Sequence, residues 1–442
     1  MEIKLSDHFT YRRLLRFVLP SIVMMIFTSI YGVVDGLFVS NFAGKTEFAA
    51  VNLIMPFPML LGAFDFMIGT GGSAIVSQKL GEGKKDKANE VFSMLIKVTI
   101  VAGIILSVIG IIFTRQIAEF MGASDEMMEF CVMYGRILLC ALTPFMLQNV
   151  FQSFLVTAER PGLGLVVTVA AGVTNIILDF LMIGVFKWGV VGAALATGIS
   201  QLVGGFVPYF FFLKKNTNGL RIVKAQIDWM ALLRTCTNGS SELMTNVSMS
   251  LVNMLYNYQL IKYAGENGVA AYGVIMYVNF IFVSIFIGYA IGTAPIVGYN
   301  YGAGNHKELK NVFGKSVRFN VVSGMIMSLL AITLSGVLAK IFVGYDKDLF
   351  DMTKEGFSIY SISFIMMGMN IFSSAFFTAL GDGLISAAIS FLRTLLFQVI
   401  AVLMLPVIFQ LQGIWMAIVV AEACALVISI VFLVGKRKKY NY

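Results

Sequence analysis

The chain reads as an all-α integral membrane protein: twelve transmembrane helices in two six-helix lobes related by pseudo-symmetry. Three observations predict this. Hydrophobic residues make up 58% of the sequence and charged ones only 13%, and a mean hydropathy of +0.85 lies outside any soluble composition. Apolar runs of bilayer-crossing length, for which about 20 residues suffice, recur twelve times. Sliding the sequence along itself by 221 residues, half its length, brings like onto like from one end of the half to the other.

The runs fall near 16–39, 49–76, 92–113, 130–157, 163–185, 190–213, 239–262, 270–297, 316–339, 356–380, 384–408 and 413–435. A polar, charged start precedes the first, with no small-residue cleavage site, so that run is expected to be a retained helix. The 221-residue offset sets Ala43-Gly44 on Ala264-Gly265, Ile75-Val76 on Ile296-Val297, and Gly81 and Gly83 on Gly302 and Gly304. It also sets Val91-Phe92 on Val312-Phe313, Gly162 on Gly383 and Gly192 on Gly413. Six being even, both copies have the same orientation, about an axis along the membrane normal. The N-terminal lobe is expected over 1–213 and the C-terminal lobe over 239–442. Between them, 214–238 reads as a basic, polar linker with Asn216-Thr217-Asn218-Gly219 as its turn-like core.

Equivalent segments, LGEGKKDKANEVF and YGAGNHKELKNVF, follow the second and eighth spans. In each, Gly-X-Gly and then polar residues at helical spacing predict a short surface helix. Neither has the GxxxxGK[ST] of a phosphate loop.

Lys and Arg number 32 against 24 Asp and Glu. Of these bases, 22 fall on segments sharing a side with both termini and seven on the other side, while Lys97, Arg136 and Arg393 lie within spans. The bias places both termini in the cytoplasm. Bases scattered over six segments do not make a nucleic-acid face. Cys131, Cys140, Cys236 and Cys424 have no paired spacing, so neither a disulfide framework nor a metal site is expected. The two histidines, His8 and His306, lie outside the spans, and no HExxH or GxSxG occurs, which argues against an enzyme and for no cofactor.

Acids in hydrocarbon-length runs are costly and mark ion or substrate paths. Asp35 is roughly 6 Å, and Asp179 roughly 9 Å, from the outer ends of their spans at 1.5 Å rise per residue. Asn175 shares a face with Asp179 one turn away, and Tyr134 and Thr197 lie at a similar level. These five predict a site for H+ or Na+, two carboxylates with amide and hydroxyl partners; a sodium ion would sit on Asp35, Asn175 and Asp179. In the second lobe the offset puts Tyr256, Leu396 and Ile400 opposite Asp35, Asn175 and Asp179, so no copy of the site is expected there.

Arg393 and Glu422 each lie roughly 14 Å into neighbouring spans, where burial calls for pairing. Asp65 has no obvious partner. Glu242 reads as a first-turn acid favoured by the helix dipole. Pro20 removes a backbone hydrogen bond from the first span and invites a bend beneath Asp35.

Taken together, VDGLFVSNFAG in the first span, NIILD in the fifth, GVVGAALATGIS in the sixth and the paired GEG and GAG segments resemble the multidrug and toxin extrusion (MATE) family, in its DinF-like and MepA-like branch. The resemblance covers essentially the whole chain. It implies a monomeric plasma-membrane exporter of organic cations, driven by H+ or Na+. It also implies that Asp35, Tyr134, Asn175, Asp179 and Thr197 are the cation-coupling cluster and that Pro20 is the bending proline of helix one. The seventh- and tenth-helix acids of the NorM-like branch are not evident, which points to coupling in the first lobe. The alternative is a lipid-linked flippase of the wider superfamily, which would want a basic cavity.

Overall fold

The computed structural model describes residues 3–42, 45–214 and 219–442, nearly all of them helical, with no strand among them. Ala43-Gly44 and Asn216-Thr217-Asn218 lie outside the described residues. Helix α1 runs from Tyr11 to Phe42 and contains Pro20 without interruption. Helix α2 comes in three pieces, Lys45–Ile54, Pro56–Gly62 and Phe64–Gly81, the first break falling where Pro56 and Pro58 supply no N–H. Helix α3 is Lys85–Phe120, and α4 is Asp125–Cys140 plus Leu142–Thr157, bent by 53°; Pro144 cannot bond the Cys140 carbonyl, which ends the first piece. Helix α5 is Pro161–Asp179 continued by a π turn, Phe180–Val185, and α6 is Gly189–Leu213.

The next helical run, Trp229–Gly302, breaks at Gly265, whose φ of 62° and ψ of −150° no helix contains. It is therefore two spans, α7 (229–264) and α8 (266–302). Helix α9 is His306–Val343, and α10 is Lys347–Tyr360 and Phe364–Ala379 around a 3-10 turn. Gly383–Phe391, the π turn Leu392–Leu396 and Phe397–Tyr440 follow, broken at Gln410, with φ 52° and ψ −130°, into α11 (383–409) and α12 (411–440). Twelve spans result among the described residues.

The repeat is visible in the geometry. Helices α3 and α9 start 221 residues apart, and α2 and α8 end 221 apart, at Gly81 and Gly302. The glycines after them, Gly83 and Gly304, both have positive φ, 76° and 65°. Gly192 and Gly413 each lie where a Cβ would strike the end of the preceding span, at Met182 and Leu405. The short surface helices expected after Gly83 and Gly304 are instead the first turns of α3 and α9, because nothing interrupts the helix before the apolar run. The linker also ends early. Asp228 accepts from Met230 N at 3.1 Å and Ala231 N at 3.0 Å, capping α7 ten residues before 239. Before that cap the linker lies along α3, where Arg221 N donates to Asn89 Oδ1 and Val223 N to Ser93 Oγ. Lys97, counted with the spans by sequence, reaches the Ala225 carbonyl at 2.8 Å.

The halves meet on the side that carries both chain ends. Gly71 of α2 and Gly239 of α7 pack backbone to backbone, and Gly288 and Gly292 of α8 pack on Ile22 and Val18 of α1. One apolar core joins them there, including Phe17, Val18, Val156, Ile296, Val297 and Phe377. The segment before α1 straps it from outside. Leu5 N donates to Glu159 Oε1 at 2.6 Å, and Phe9 N to Glu308 Oε1 at 2.8 Å, with Leu5 and Phe9 themselves buried. Further along α1 the contact opens, and a Cβ on Gly32 or Gly36 would meet nothing within 4 Å.

Candidate functional site

Inside the N-terminal lobe, α1 and α5 carry carboxylates that face each other. Asp35 and Asp179 lie side by side, with Asn175 next to Asp35. Asp179 is the last residue before the π turn of α5, a local widening common at functional positions. Tyr134 is buried on α4, within the field of both acids, its hydroxyl 3.3 Å from the Met55 sulfur. Thr197 on α6 has a buried hydroxyl without a partner, and among the described residues no contact joins it to the acids.

What distinguishes the cluster is its unmet bonding. Asp35 Oδ1, both Asp179 oxygens and both polar atoms of the Asn175 amide are buried with no hydrogen-bond partner. Ionised carboxylates only accept, and two of them together repel unless a proton or a cation comes between. The arrangement can therefore take up one small cation. No group of three or more His, Cys, Asp or Glu side chains comes together among the described residues, so Asn175 would supply the neutral oxygen to a metal cation.

Two neighbours were not picked out from sequence. Tyr31, one turn before Asp35, lies in its field, and Gln201, one turn after Thr197, buries an unpartnered Oε1. One-turn spacing from the chosen residues was the available signal.

In the C-terminal lobe Arg393 and Glu422 do meet. Arg393 Nε donates to Glu422 Oε1 at 2.8 Å and Oε2 at 3.1 Å. Asn370 Nδ2 adds a bond to Oε2 at 2.7 Å, and the Ser429 hydroxyl donates to Asn370 Oδ1 at 3.0 Å. Glu242 corrects the sequence reading: with α7 capped at Asp228, it sits three to four turns inside the helix and within the field of Arg393. Asp65 is corrected too, since Asn149 Nδ2 donates to its Oδ2 at 2.9 Å.

Two repeated lobes that touch on one face and carry ionisable groups within their spans make a polytopic membrane transporter. The MatE family model matches the chain twice, over residues 20–181 and 243–404. The chain belongs to the MatE family.

Its relatives include the multidrug export protein MepA of Staphylococcus saprophyticus, 24% identical over 438 residues, spanning 97% of this chain and 94% of that one. The probable multidrug resistance protein YoeA of Bacillus subtilis is 26% identical over 362 residues, 78% of this chain and 76% of that one. Among solved structures, an outward-facing multidrug resistance MATE transporter of the MOP superfamily shares the fold with a TM-score of 0.90 at 23% identity, over 96% of this chain and 95% of that one. A MATE protein in the bent conformation gives 0.86 at 24% identity, over 96% and 94%.

Proposed function

We propose that this transporter is a secondary active antiporter that exports amphipathic organic cations in exchange for H+ or Na+ by alternating access. The observation that carries the reading is the facing pair Asp35 and Asp179, buried with three of their four oxygens unsatisfied among the described residues. A small cation arriving there relieves the repulsion within the pair and lets α1 and α5 repack, which lowers the lobe's affinity for an organic cation; by linkage, the organic cation expels the small one. Pro20 supports such a movement, because α1 lacks one backbone bond within the stretch, Val18 to Ile22, that packs on α8. The names of the relatives, multidrug export and multidrug resistance, support the substrate class. The distribution of bases supports a cytoplasmic-membrane protein with both termini inside. In that orientation the described state, closed on the side of the termini, is outward-facing.

The test is efflux of a fluorescent organic cation from proteoliposomes under an imposed pH gradient and then a sodium gradient, comparing wild type with Asp35→Asn and Asp179→Asn. One gradient is expected to drive efflux, and either substitution to uncouple it. Wild type that moves no cation under either gradient overturns the reading and favours the lipid-linked flippase.

A further inference from the structure

We propose that Asp65 is a second proton-binding group of the N-terminal lobe, separate from the Asp35 and Asp179 pair. It lies in the first turn of the Phe64–Gly81 piece of α2, directly after the break at Ala63. The residue is completely buried. Asn149 Nδ2 reaches its Oδ2 at 2.9 Å, while Oδ1 has no partner. A lone ionised carboxylate so enclosed within a span is far costlier than the neutral acid, so in this state the side chain carries a proton.

The geometry selects H+ over a metal cation. Asn149 offers Asp65 an N–H rather than a carbonyl, and no other His, Cys, Asp or Glu groups with it into a metal-holding set among the described residues. A proton needs only the one carboxyl. Asn149 is itself partly exposed, which gives that proton a way in and out.

Position ties the group to the transport cycle. Half a turn beyond Asp65, Met67 presses its backbone on Gly239 of α7, and Gly71 does so one turn later. Asp65 thus sits immediately beyond the contact that closes the lobes on the side of the termini, on the helix that makes it. When that contact parts, α2 is freed and the enclosure of Asp65 with it, so its proton exchanges on the side that opens. This deepens the antiport reading, on which its role in exchange rests, and adds a proton to the H+ or Na+ that the Asp35 and Asp179 pair carries.

The test is read without transport. Infrared difference spectra of the full-length protein in lipid nanodiscs, recorded across a pH step, report protonated buried carboxyls through their C=O stretch. Glu242 of α7, the other unpaired carboxyl near this contact among the described residues, is removed in the background: Asp35→Asn/Asp179→Asn/Glu242→Gln is expected to keep one such pH-dependent band, and adding Asp65→Asn to abolish it. Asn149→Leu in the same triple-variant background keeps the carboxyl and is expected to shift the frequency of the band without abolishing it, which covers the case of a misfolded Asp65 variant. A band that survives Asp65→Asn, or a triple variant with no pH-dependent carboxyl band, overturns the proposal. Loss of coupled efflux alone would bear on the antiport reading and leave this result standing.

Discussion

Gly81 and Gly302 are partners in the repeat, and they pack reciprocally across its axis: a Cβ on Gly81 would run into the Tyr299 carbonyl, and one on Gly302 into the Gln78 carbonyl. Tyr299 and Gln78 are themselves 221 residues apart, so the contact is symmetric about the axis that relates the two lobes. Only glycine admits such an approach of α2 to α8. Substituting Gly81→Leu or Gly302→Leu overpacks the seam by about 1–3 kcal/mol, enough to move a closed-to-open ratio by roughly five- to 150-fold. A cysteine placed at Ser77, buried in the same seam, should then be labelled faster from the side of the termini. Unchanged labelling in both variants would mean that the seam does not hold the lobes closed.

The acid pair makes a sharper demand on activity. Asp35→Asn and Asp179→Asn each leave one carboxyl, which removes the mutual repulsion that makes a cation welcome. Gradient-driven efflux is expected to fall at least about tenfold in either variant, with substrate binding to the purified protein retained. Gln201→Leu, one helix away, should cost less than either. Equal efflux in wild type and both acid variants would remove the pair from the mechanism.

Arg393 and Glu422 provide a test of structure rather than exchange. Removing one member of a buried ion pair strands the other, at about 3–5 kcal/mol. Asn370 would still bond Glu422 after Arg393→Met, whereas nothing else bonds Arg393 Nε after Glu422→Leu. The second single variant should therefore lower the unfolding temperature more than the first. Arg393→Met/Glu422→Leu should lose less than the two singles together, by the coupling of about 0.5–3 kcal/mol expected of contacting residues. Strict additivity would show the pair to be energetically idle.

Much of this was legible in the sequence because the bilayer leaves so few choices. A span must satisfy its own backbone and so shows as a long apolar run, and Asp35, Asp179, Arg393 and Glu422 stand out because charge is rare inside one. What was missed depends on neighbours. Glu242 was misplaced because the cap at Asp228 stands eleven residues before the apolar run was taken to begin. Asn149 was not matched to Asp65 because the pairing joins residues 84 apart on helices whose approach no local pattern reveals. Tyr31 and Gln201 are neutral polar residues of a kind common in spans, and only the buried setting singles them out. The breaks at Gly265 and Gln410 separate spans that the apolar pattern had already divided, but the positive φ of Gln410 is set by packing around the turn.

At the side of the termini, Asp382 ties the end of α12 to the turn before α11. It accepts from the Tyr440 hydroxyl and from Lys439 Nζ, the latter at 3.3 Å. Burial works against its charge, but the bonds from Tyr440 and Lys439 outweigh it and hold the carboxyl below the usual carboxylate range. A group depressed on folding stabilises the fold above its unfolded value, about 3.9 for Asp, and that contribution is lost as pH falls through the lowered native value. The site is partly open to solvent, so the contribution is expected to be about 1 kcal/mol or less. Asp382→Asn should therefore unfold at a slightly lower temperature than wild type at pH 7, with the two curves converging as the pH is lowered through the acid range. A difference that stayed constant down to about pH 3 would place the effect of the substitution in packing, and the charge of Asp382 would then have no part in holding α12.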